Sequence, residues 1–122
     1  MKTVDEWKST LRAALKEAMR ARQHEAVSVL RETLAAIDNA EAADASNAPQ
    51  VQHGVIAGGV AGLGAGEVMR KSLTPEEVGA IIDRELAEKR EAQRTYARLE
   101  KHEQAQTLGM QAEVLAALLS PP

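Results

Sequence analysis

The chain has 122 residues, a formal charge of -3 and no cysteine, which excludes disulfides and thiolate metal sites and argues against a strongly basic nucleic-acid binder. Phenylalanine is absent, Trp7 and Tyr96 are the only aromatics, and alanine, leucine, glutamate, lysine and arginine are common, so the composition predicts helix rather than strand. The start, MKTVDEWKSTLR, lacks an apolar signal region, and the longest uncharged apolar stretch, Gly54 to Gly66, is too short and glycine-rich to span a bilayer. A single cytoplasmic domain without membrane contact is expected.

The first helix is predicted over residues 4–22. Thr3 with Glu6 three residues on forms a capping box. Val4, Trp7, Leu11, Leu15, Ala18 and Met19 recur at helical spacing as one apolar stripe, and Lys8, Arg12, Lys16 and Arg20 form a second, basic one. The next helix is predicted over 24–43, with Val27, Leu30, Leu34, Ile37 and Ala40 buried and Val29 and Ala36 widening that face. The short link from Arg22 to His24 predicts an antiparallel hairpin.

The periodicity breaks at 44–72, which contains Pro49 and six of the eight glycines and predicts a long flexible loop. An ordered turn around Val55 to Val60 is compatible with its apolar residues. The loop contains GLGAGE, Gly62 to Glu67, but Glu67 stands where a dinucleotide-binding loop needs its third glycine, and no strand precedes it. Nor does Lys71-Ser72 follow a glycine, as a phosphate-binding loop requires. A flexible connection is the better reading.

The third helix is predicted over 74–101. Thr74 is the N-cap, Pro75 the first helical residue, and Glu77 completes a second capping box. Val78, Ile81, Ile82 and Leu86 face the core, after which the charged run AEKREAQR suggests a segment solvated all round. Glu85 with Lys89 and Glu91 with Arg94 have the spacing of intrahelical ion pairs. The fourth helix is predicted over 103–119, with Leu108, Ala112, Leu115 and Leu119 on one face and Gly109 weakening it by ~1 kcal/mol. The fold class is all-α: a four-helix bundle-like pair of helical hairpins joined by a long glycine-rich loop.

No catalytic constellation emerges. His24, His53 and His102 lie in separate segments without the spacing of a metal site. Ser9, Ser28, Ser46, Ser72 and Ser120 have no nucleophile context. No cofactor is expected, and no activity of the chain on its own. Arg90, Arg94, Arg98 and Lys101 share one side of the third helix over three turns. Such a ladder fits phosphates of an RNA backbone. With Glu88, Glu91 and Glu100 interleaved, it fits a charged solvent face better. Trp7 and Tyr96 are expected to pack as core anchors rather than stack on bases.

Three stretches carry a family likeness: SVLRETLAAIDNAE, Ser28 to Glu41; LTPEEVGAIIDRELAEKREAQRTY, Leu73 to Tyr96; and AEVLAALLSP, Ala112 to Pro121. They resemble the YqeY-like family (the GatB/YqeY domain), related to the C-terminal tail domain of the B subunit of the glutamyl/aspartyl-tRNA amidotransferase. With the first helix, the resemblance covers nearly everything except residues 44–70. It implies the N-terminal, four-helix subdomain of that family, in which two hairpins pack together. Typical members have a shorter connection between the hairpins and continue into a second, smaller helical subdomain. The family-level label is carbon–nitrogen ligase activity with glutamine as amido-N-donor. The resemblance instead implies a non-catalytic module that helps hold tRNA or joins a tRNA-modifying complex. Arg31, Arg90 and Arg94 are the polar contacts it carries over, and Arg98 and Lys101 extend the set by their position. The alternative is a protein-interaction module with no nucleic-acid role, suggested by the near-neutral charge and the two hairpins.

Overall fold

The computed structural model describes residues 2–46 and 72–120. These form four α-helices: α1 Val4–Arg20, α2 His24–Ser46, α3 Pro75–Arg98 and α4 His102–Leu119. The chain is all-helical over the described residues. α1 packs on α2, α3 packs on α4, and α2 carries most of the contact between the hairpins, chiefly through α4. The predicted loop at 44–72 lies outside the described residues from 47 to 71, and with it GLGAGE, His53 and the turn at Val55 to Val60. α2 runs to Ser46, past the predicted 43, because Ala42, Ala43 and Ala45 sustain a helix.

Both predicted capping boxes form. Thr3 Oγ1 accepts from the Glu6 N–H at 3.1 Å while Glu6 accepts from the Thr3 N–H at 2.8 Å, and Thr74 with Glu77 repeats this at 3.1 and 2.8 Å. Each box is flanked by a further contact that closes the helix start. Leu73, just before the Thr74 cap, joins the buried cluster together with Val78, five residues on, as a hydrophobic staple does. At the equivalent positions of α1, the Lys2 ammonium lies 5.2 Å from the centre of the Trp7 ring.

Neither hairpin turn contains glycine. In each, a charged residue takes the left-handed backbone that glycine adopts most easily: Arg22 and Glu100 both have φ of 59°. The hydrogen bonding is the same in both. Arg22 and Gln23 N–H groups donate to Met19 and Ala18 carbonyls at 3.2 and 2.9 Å, and Glu100 and Lys101 donate to Ala97 and Tyr96 at 3.0 and 2.9 Å. These bonds satisfy carbonyls that the helix end leaves open. The third helix therefore stops at Arg98, earlier than the predicted 101, and α4 begins at His102.

One core unites the hairpins: Leu11 and Ala18 of α1, Val29, Leu30 and Ile37 of α2, Val78 and Ile82 of α3, and Leu115 of α4. Thr33 is buried among them and bonds its hydroxyl to the Val29 carbonyl at 2.8 Å, so no polar group is left open there. Met19, predicted on the apolar stripe, is half exposed. It sits at the edge of the α1–α2 contact rather than in its centre.

The charged run of α3 is not solvated all round. No residue from Lys89 to Arg98 is fully buried, but Arg90, Ala92, Gln93 and Tyr96 are half-buried. The reason lies in α4: a Cβ at Gly109 would stand 2.7 Å from the Gln93 amide nitrogen, so glycine lets Gln93 close over the helix. Gly79 in α3 has no atom within 4 Å of such a Cβ. Gly79→Ala is therefore expected to stabilise the protein by about 1 kcal/mol, the propensity difference, in thermal melts. Gly109→Ala, which must displace Gln93, is expected to gain clearly less. Equal gains would show that the Gln93 contact is unimportant.

Candidate nucleic-acid interface

The five sequence-predicted contact residues fall into two groups. Arg90, Arg94 and Arg98 follow one another along the second half of α3, and Lys101 lies in the turn beyond. Arg31 stands on α2, with its guanidinium 4.0 Å from Met19 Sδ of α1. It is thus directed to α1, whereas Arg90 is directed to α4. The structure aligns four of the five residues and sets Arg31 apart.

Carboxylates engage the ladder. Arg90 Nη2 lies 3.6 Å from Glu113 of α4, and Arg94 Nη2 donates to Glu91 Oε1 at 2.7 Å. Arg98 Nη2 donates to Thr95 Oγ1 at 3.3 Å, and Lys101 is exposed. The Arg94 bond, followed by its charge, holds the Glu91 carboxyl below the ordinary glutamate range. Both groups are solvated, so the pair orders the surface more than it stabilises the fold.

The other predicted pair, Glu85 with Lys89, is replaced by a tertiary one. Lys89 Nζ reaches Glu32 of α2 at 2.8 Å and ties the two hairpins together. Gln111 adds a second tie, donating to Glu25 of α2 at 3.3 Å. Burial, then the charges of Glu88 and Glu32, push the Glu85 carboxyl up, against the opposing charges of Lys89 and Arg84. A raised value in the fold means that protonation favours the native state. Ionised Glu85 therefore weakens the protein as pH rises through that raised value, and the penalty vanishes once pH falls below the ordinary glutamate range. Glu85→Gln is expected to raise the melting temperature at neutral pH and to change it little at pH low enough to protonate the carboxyl. A gain of the same size at both pH values would contradict this origin.

No family model, no curated protein and no solved structure matches the chain.

Two shallow depressions flank these groups. One, of about 400 Å³, is lined by Tyr96, Glu103, Gln104, Thr107 and Leu108 near the α3–α4 turn. Tyr96 therefore edges a groove instead of anchoring the core, while Trp7 packs against the core as expected. The other, of about 420 Å³, lies between the α1–α2 turn at Arg22 to Ala26 and Met110 and Val114 of α4. Among the described residues no cluster of three or more histidines or carboxylates could hold a metal ion, and no helix is long and apolar enough to cross a membrane.

The basic stripe of α1 also changes character. Lys8 turns inward, donating to both oxygens of buried Glu41 at 3.2 and 2.9 Å. Arg12, Lys16 and Arg20 stay exposed. Their spacing of four is plain in the sequence, but a distinction between Lys8 and the other three needs the partner on α2.

Proposed function

We propose that the chain is a non-catalytic helical accessory module of the YqeY-like type, which contacts tRNA or a tRNA-modifying complex. In such an assembly the glutamine-dependent carbon–nitrogen ligase chemistry belongs to other parts. The observation that carries this reading is the pairing of two helical hairpins, the second opened by Leu73 and the Thr74–Glu77 capping box. That is the arrangement the resemblance implies for the N-terminal subdomain. Exposed cations on α1, α2 and the α3–α4 turn supply the chemistry that phosphates need. Filter binding to total tRNA tests the proposal: micromolar binding that weakens with salt is expected. Absence of binding at low salt would defeat it.

A second reading, a protein-docking module, draws support from the carboxylates that engage Arg90 and Arg94 and from Leu99, which is 58% exposed at the α3–α4 turn. Reproducible protein partners that survive nuclease treatment in a pull-down, together with no tRNA binding, would favour it.

A further inference from the structure

We propose that the RNA phosphate backbone is held on the α1 face of the bundle, by Arg12, Lys16, Arg20 and Arg31, rather than along the α3 ladder. This rests on the reading of the chain as an RNA-contacting module and assigns that contact to a surface.

The first three residues stand four apart and form a stripe along α1 of about 12 Å, at 1.5 Å per residue. Since Lys8 is committed to Glu41, the stripe starts at Arg12. The helical neighbours of Lys16 at three and four residues are Arg12, Ala13, Met19 and Arg20, and none is acidic. α2 then adds a fourth cation: Arg31 reaches across to Met19, which lies between Lys16 and Arg20. Arg31 thus joins the α1 stripe at the half-exposed Met19 side chain.

A smaller share of these four cations is ion-paired than on the ladder. Among the described residues, Glu17 makes the single ion pair in the group, to Arg20 at 3.2 Å, with both side chains more than 60% exposed. A pair so solvated is readily exchanged for a phosphate. Asp5 and Asp38 are exposed on the same two helices, and neither pairs with the stripe. On α3, two of the three ladder arginines are already paired, Arg90 with Glu113 and Arg94 with the equally solvated Glu91, against one cation of four on the α1 face. Guanidinium forks suit phosphate oxygens in a bidentate way, and three of the four α1-face cations are arginines.

Two triple variants with equal loss of charge test the assignment: Arg12→Gln/Lys16→Gln/Arg31→Gln, and Arg90→Gln/Arg94→Gln/Arg98→Gln. Each is titrated with total tRNA at several salt concentrations, after a thermal melt shows that it is folded. The first is expected to weaken binding at least about tenfold and to flatten the salt dependence by about 2 in the log–log slope, as loss of three phosphate contacts does. The second is expected to change affinity by less than about threefold, since Arg90 and Arg94 are already paired with carboxylates and Arg98 alone is left without one among the described residues. Equal losses in both, or a larger loss in the second, would overturn the assignment. Wild-type binding that the first variant leaves intact sinks this inference alone. Failure of the wild-type protein to bind tRNA sinks it together with the proposed function.

Discussion

Glu41→Ala is expected to destabilise the protein by roughly 3 kcal/mol, at the lower edge of what removing one partner of a buried ion pair costs. Glu41 is 7% exposed near the end of α2 and receives both of its close contacts from Lys8 of α1. Without the carboxylate the Lys8 ammonium stays in a half-buried position with nothing to compensate it. It can recover part of the loss by extending its stem toward water, which holds the cost at the lower edge of that range. The cost comes from the orphaned charge and not from the worth of the pair. Lys8→Met/Glu41→Leu is therefore expected to restore most of the stability of the single variant. Urea unfolding followed by far-ultraviolet circular dichroism gives both numbers. A loss under about 1 kcal/mol for Glu41→Ala would mean that the pair behaves as a surface one.

Ile82→Ala is expected to cost about 3–4 kcal/mol, because it removes buried methylene groups and leaves a cavity that fixed helices fill poorly. The magnitude is large against the ~5–15 kcal/mol that holds a domain together. Ile82 is fully buried in the first half of α3, in the one cluster that also contains Leu11, Leu30 and Leu115. Its loss should therefore weaken both hairpins at once. A single unfolding transition, shifted as a whole, is the expected outcome. A split into two transitions would show that the α1–α2 hairpin holds without its partner.

What was legible in the sequence was local. Thr3 and Thr74 with their glutamates three residues on specify a helix start within one turn, and both boxes form as written. The apolar spacing of Leu11, Leu30, Ile37, Ile82 and Leu115 marks residues that are buried in the structure. The turn at Glu100 is only approximately legible, because the residue that usually signals such a turn, glycine, is replaced by one that adopts the same backbone at a cost. Choices between partners were not legible at all. Lys89 has a carboxylate four residues before it in Glu85, yet pairs with Glu32 from another helix. Lys8 belongs by spacing to the same stripe as Arg12, and Glu41 takes it out. The ladder on α3 was legible as an arrangement of charges, but Glu113, which neutralises its first member, comes from α4.

Equilibrium binding of the wild-type protein to total tRNA across about 50 to 200 mM salt decides whether the protein contacts RNA. Micromolar affinity is expected at the low end, falling as a power of the salt concentration, with several phosphates engaged. A protein that binds no tRNA at the lowest salt, while its circular dichroism shows the helical fold, would contradict it.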